Sequence, residues 1–153
     1  MIKTLFAPKA KYIDTALLVL RIGIGFAFIM HGYPKVMGGV EKWSYLGTAM
    51  GNIGITFFPV FWGFMAAFTE FIGGIFLVIG LFARISSGGL SFTMFIAFLM
   101  HQQMGDPFTR SSHAFELFFV FMFIILAGAG KYSLDYLIGM KSYPRTSRSY
   151  TVN

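Results

Sequence analysis

An all-α bundle of four transmembrane helices is the fold class this sequence predicts, and three observations carry it. Of the 153 residues, 56% are hydrophobic and 12% are charged, whereas a soluble domain carries roughly a quarter charged residues. Apolar runs long enough to cross a bilayer recur four times, each near the ~20 residues a spanning helix needs. The runs lack the alternation of barrel strands, and in lipid only helices and closed barrels satisfy their own backbone groups.

The first run extends from Ile13 to Tyr33 and is interrupted by Arg21. The second, Phe57 to Phe82, is interrupted by Glu70. The third, Ile85 to Met104, has no ionised group but carries His101 and two Gln near its end. The fourth, His113 to Gly130, has Glu116 in its first turn. A tight hairpin around Ala83–Arg84 joins the second and third, and a polar turn, Gly105–Ser112, with Asp106-Pro107 as turn chemistry, joins the third and fourth. Within the long connection Pro34–Thr56, the 3-and-4 spacing of Trp43, Leu46 and Met50 predicts a short interfacial helix over Val40–Met50. Lys131–Ile138 reads the same way. The domain plan is a basic tail at 1–12, a bundle at 13–140 and a basic, disordered tail at 141–153.

Orientation follows from Lys and Arg counting. With the N-terminus cytoplasmic, Lys3, Lys9, Lys11, Arg84, Lys131, Lys141, Arg145 and Arg148 lie inside, and Lys35, Lys42 and Arg110 outside. Eight against three places both termini on the cytoplasmic side of the membrane. Tyr12, Tyr132 and Tyr136 then form an inner aromatic belt, and Tyr33, Trp43, Tyr45 and Trp62 an outer one. The net charge of +6 is therefore topological and not a nucleic-acid footprint. No cleavable signal pattern precedes the first run. The chain has no Cys, which excludes thiol–disulfide chemistry by the chain itself.

Two charges are stranded inside apolar runs. A carboxylate at mid-membrane depth costs about 2.5–3.5 kcal/mol on insertion scales, so Glu70 needs a partner. It shares a helix face with Gly63, Ala67 and Gly74, and Arg21 shares one with Gly25, Phe28 and Gly32. Small residues let a neighbouring backbone approach closely, so Gly25, Gly63, Ala67 and Gly74 are the expected packing positions. Counted from the span ends, Arg21 and Glu70 differ in depth by roughly 6 Å, within reach of a guanidinium stem. An Arg21–Glu70 pair is expected, either as a register lock or as the floor of a polar pocket.

At the outer ends of the spans lie His31 with Lys35 at i+4, His101, and His113 with Glu116 at i+3. Imidazoles titrate near physiological pH, so this group is the expected contact for a quinone head group or a periplasmic partner. His113-x-x-Glu116 with another histidine can in principle ligate a metal, but that spacing recurs by chance and no metal site is assigned. No catalytic residue is assigned either.

Three strings resemble the DoxX family of small bacterial membrane proteins. Leu20-Arg21-Ile22, Gly25, Phe28 and His31-Gly32-x-x-Lys35 are similar to its first-helix signature. Glu70-x-x-Gly73-Gly74-x-x-Leu77-x-x-Gly80-Leu81-x-x-Arg84 resembles the second, and Gly128-x-Gly130-x-Tyr132-Ser133-Leu134-Asp135 the closing motif. The resemblance implies a membrane subunit of a quinone-linked oxidoreductase or an oxidative-stress redox system, with any thiol chemistry on a partner. The competing reading is a non-catalytic scaffold docking in a larger membrane complex. A small-solute transporter is disfavoured by four short spans without broken helices.

Overall fold

The computed structural model describes residues 12–139, and its regular elements are all helical. They are α1 (Ile13–Val36), α2 (Gly39–Gly47), a 3-10 stretch (Thr48–Ile53), α3 (Pro59–Ile79), α4 (Ala83–Gln103), α5 (Phe108–Ala127) and the single turn α6 (Leu134–Leu137). Helices α1, α3, α4 and α5 are each long and apolar enough to cross a membrane. The expected tails at 1–12 and 141–153 fall, apart from Tyr12, outside the described residues.

The ends of the helices have local causes. Helix α3 starts with Pro59 at its first position and stops at Gly80, whose φ of +71° is the left-handed cap conformation. Leu81 N donates to Phe76 O at 2.9 Å and Gly80 N to Leu77 O at 3.2 Å, closing the last carbonyls. The first N–H groups of α4 are satisfied from far along the chain: Asp135 accepts from Phe82 N at 2.7 Å and from Ala83 N at 2.9 Å. Helix α5 begins at Phe108, five residues before the apolar run does. The polar stretch Thr109–Ser112 folds into its first turns, with Ser111 and Ser112 hydroxyls donating to backbone carbonyls three residues back. Glu116 therefore lies beyond the first turn, and the turn after α4 is shorter than the expected Gly105–Ser112.

In lipid, helix association rests on close van der Waals packing more than on solvent expulsion, and glycines supply that closeness here. A Cβ on Gly32 would lie 2.5 Å from Phe71 N, and one on Gly25 2.7 Å from Gly74 O. Gly63 is tighter still against the backbone of Trp43, and Gly47 against Pro59, so α2 runs antiparallel along the first turns of α3. Gly63, Ala67, Glu70 and Gly74 are all buried. Between the helices, Phe28, Leu77, Leu90, Met94, Phe121 and Ile124 form the main core. Ala49, Met50 and Ile96 form a smaller one beneath the 3-10 stretch.

Candidate functional site

Two layers of charge cross the bundle, and they are not the pair expected from the sequence. Arg21 is fully buried. Its guanidinium donates to Leu77 O at 2.9 Å and to Tyr132 O at 2.5 Å, and it feels the charge of Asp135. The carbonyls at the C-terminal end of α3 carry the negative end of the helix dipole, a favourable seat for a cation. Glu70 is bound instead by Lys35, whose ammonium donates to both carboxylate oxygens, at 2.7 and 2.5 Å. No Arg21–Glu70 ion pair exists among the described residues.

The correction has a geometric cause. Gly25 lies against Gly74 and Gly32 against Phe71, so α1 crosses α3 obliquely. About four turns of α1, from Arg21 to Lys35, match about two turns of α3, from Leu77 to Glu70. Laid side by side, the two apolar runs put Arg21 level with Gly74, within reach of Glu70, whereas it bonds Leu77, roughly 10 Å along α3 from Glu70. The side chain that arrives over Glu70 is one turn past Gly32, and that is Lys35.

The Arg21 layer is a clasp. The segment after α5 crosses the end of the bundle, and its polar contacts tie down three helices, α1, α3 and α4. Lys131 N donates to Asp14 at 3.2 Å, Tyr132 O holds Arg21, Asp135 N donates to Gly80 O at 2.9 Å, and the Asp135 carboxylate caps α4. Ser133 caps the short α6 by accepting from Tyr136 N at 3.2 Å. Sequence reasoning placed Ser133 and Asp135 in a motif but gave them no role. A Ser and an Asp following two glycines at the end of the last apolar run were the available signal.

The Lys35 layer is more open. Glu70 has 3% of its side chain exposed and Lys35 28%. Trp43 donates its indole N–H to Lys35 O at 2.9 Å, pinning α2 to the end of α1. One turn before Lys35, His31 meets His113 of α5 with ring centroids 6.4 Å apart. Both imidazoles are exposed, and neither makes a hydrogen bond among the described residues. Four side chains from three helices thus form a continuous row: Glu70, Lys35, His31 and His113. An ammonium offers three donors, and Glu70 takes two of those of Lys35.

His101 is engaged elsewhere. Its Nδ1 lies 2.8 Å from Asp106, which also accepts from Arg110 at 2.9 Å. The hydrogen bond to His101, and then that to Arg110, holds the Asp106 carboxyl below the usual carboxylate range. The three histidines share one end of the bundle but only His31 and His113 meet. Glu116 is exposed and joins none of these groups. No cluster of three or more metal-ligating side chains is present among the described residues.

Comparison with known proteins agrees with this architecture. The family model described as DoxX matches residues 16–103, from α1 to the end of α4. The Escherichia coli K12 protein named inner membrane protein YqjF is 30% identical over 131 residues, covering 84% of this chain and 95% of the relative. No solved structure gives a significant match. With four spanning helices and both matches over the same bundle, the chain belongs to the DoxX family and is a multi-pass inner-membrane protein.

Proposed function

We propose that this protein is the membrane subunit of a quinone-linked redox system, and that the row Lys35, His31 and His113 contacts the quinone head group. The observation that carries the reading is the meeting of two exposed imidazoles, from α1 and α5, one turn from the Lys35 ammonium's position on α1. A quinone head group presents carbonyl acceptors and, when bound, supplies two-electron, two-proton chemistry. The chain's part is to fix and feed it. Glu70 holds Lys35 in place as a donor, and the imidazoles of His31 and His113 are groups able to take up or release protons at a head group. Lacking Cys, the chain leaves any thiol step to a partner subunit, in the membrane or the periplasm. The Lys and Arg distribution orients the α2 end toward the periplasm, with both termini cytoplasmic.

A second reading, the non-catalytic accessory subunit, is favoured by one observation. Both intramembrane charges are engaged within the chain, Arg21 by carbonyls and Glu70 by Lys35. Titration of purified protein with decyl-benzoquinone separates the two. Saturable binding that is lost in His31→Ala and His113→Ala, with folding intact, supports the quinone site. Absence of binding by the unaltered protein leaves the accessory role.

A further inference from the structure

The two ends of the bundle sort their charges differently. The sequence has six Asp and Glu side chains. Four of them, Glu41, Glu70, Asp106 and Glu116, belong to the histidine end, where exposed Glu41 and Glu116 offset exposed Lys42 and Arg110. The clasp end holds the other two, Asp14 and Asp135. Both are buried and accept from backbone N–H groups of the chain itself. The cations there point outward instead: Arg84 and Lys131 are exposed. The clasp end therefore presents positive charge with no side-chain carboxylate on its surface.

The donors of these two cations are largely unspent. Arg84 reaches from α4 to Leu126 O near the end of α5, at 3.5 Å, its one hydrogen bond among the described residues. A guanidinium carries five donors in a planar fork that matches phosphate oxygens. Lys131 Nζ stands 3.8 Å from Asp14, beyond hydrogen-bond range, and its side chain is 60% exposed. Bare aliphatic surface flanks the same cations. Leu126, Leu137 and Ile85, at 76%, 75% and 73%, are the three most exposed large apolar side chains among the described residues, and all lie at this end. Leu126 supplies the carbonyl that Arg84 touches, and Ile85 follows Arg84 on α4.

We infer that the clasp end seats an anionic phospholipid of the adjoining leaflet, its phosphate taken by Arg84 and Lys131 and its acyl chains lying on Ile85 and Leu126. This seat is separate from the histidine row and does not depend on the proposed function. Two cations alone would suit any phosphate; the aliphatic side chains beside Arg84 select a phosphate that carries acyl chains. A zwitterionic head group brings its own ammonium to Arg84 and Lys131, with no surface carboxylate to receive it, so the site discriminates by charge. Basic side chains next to a spanning helix are the usual means of holding anionic head groups. A lipid seated here ties α4 to the segment after α5 from outside, the junction that Asp135 clamps from inside.

Native mass spectrometry of the full chain in detergent, titrated with phosphatidylglycerol or phosphatidylcholine, tests the seat. Phosphatidylglycerol should be retained in preference. Arg84→Gln with Lys131→Gln should weaken its retention roughly tenfold, the scale of losing two basic residues at an anionic lipid surface. Lys42→Gln, at the opposite end, should leave retention unchanged. The basic tails are the same in every variant, so the difference belongs to Arg84 and Lys131. Equal retention by the double variant and the unaltered chain, or an equal loss in Lys42→Gln, overturns the seat. Displacement of the lipid by inorganic phosphate assigns a free-anion site and overturns it too. The unaltered chain in nanodiscs gives an independent reading, including where the double variant does not fold. Replacing phosphatidylcholine by phosphatidylglycerol should slow amide exchange at residues 82–86 and 126–132, and protection that is absent there or uniform over the bundle overturns the seat.

Discussion

Lys35 grips Glu70 through both carboxylate oxygens, across the junction of α1 and α3, and leaves the carboxylate buried while its own stem reaches the surface. This asymmetry makes the two single mutants unequal. Lys35→Met strands a buried carboxylate, a loss of about 3–5 kcal/mol for a fully buried pair. Glu70→Gln leaves a partly exposed ammonium and costs less. The double mutant should recover most of the stability. Thermal melts of the four proteins in detergent check the order, and a Glu70→Gln protein weaker than Lys35→Met contradicts it. Arg21→Met combined with Glu70→Gln should show additive losses, because those residues share no contact.

Asp135→Asn should loosen the start of α4. Its carboxylate replaces a local cap for Phe82 N and Ala83 N, and losing a cap costs about 0.5–2 kcal/mol. Because Asp135 also lies in the field of buried Arg21, the loss belongs at the upper end of that range. Amide hydrogen exchange should accelerate at residues 82–86 and 131–136 and stay unchanged at the α4–α5 turn. Uniform acceleration across the bundle would argue against a local clasp.

Acid should loosen the other end of α4. His101 and Arg110 depress the Asp106 carboxyl, so the folded value lies below the unfolded one, ordinarily near ~3.9. The contribution of this carboxylate is present above the unfolded value and is lost as pH falls through the folded one. A spin label at Gly105 should gain mobility as pH drops below about 4. Asp106→Asn should be mobile throughout and insensitive to pH over that window.

Gly32→Leu should fail to assemble the α1–α3 pair, because even a Cβ there meets the backbone of Phe71. Overpacking typically costs about 1–3 kcal/mol, and a clash with backbone instead of a flexible side chain puts this case at the high end. Gly23→Leu, where nothing lies within 4 Å, is the matched control. Equal melting temperatures for the two variants would show that the crossing does not depend on Gly32.

The proposed orientation predicts a labelling pattern. Single cysteines at Ser44 and Ser112 should react with an impermeant maleimide in spheroplasts, whereas one at Arg84 should react only after lysis. The reverse pattern places the histidine end in the cytoplasm and removes the periplasmic partner.

How much was legible in the chain depends on the range of the interaction. The four spans were readable because bilayer thickness imposes a length on every crossing segment, and the short helix before α3 because Trp43, Leu46 and Met50 repeat at helical spacing. The first turns of α5 were not readable from hydropathy, since Thr109–Ser112 are polar, although Ser111 and Ser112 satisfy their hydroxyls on their own helix. At the site, His31, Lys35, His113, Arg21 and Glu70 could all be singled out, because ionisable groups near apolar runs demand an explanation. Their pairing could not.

The sequence by itself determined the all-helical bundle, the small-residue faces, and that each stranded charge must find a partner. Each follows from a local requirement, that of length, of volume or of desolvation. Tertiary structure decided which partner. The close approaches of Gly25 to Gly74 and of Gly32 to Phe71 set an oblique crossing, and that crossing carries Lys35 to Glu70 and Arg21 to the clasp at Tyr132 and Asp135. An angle between helices is a property of two surfaces in contact, and no single segment of the chain contains it.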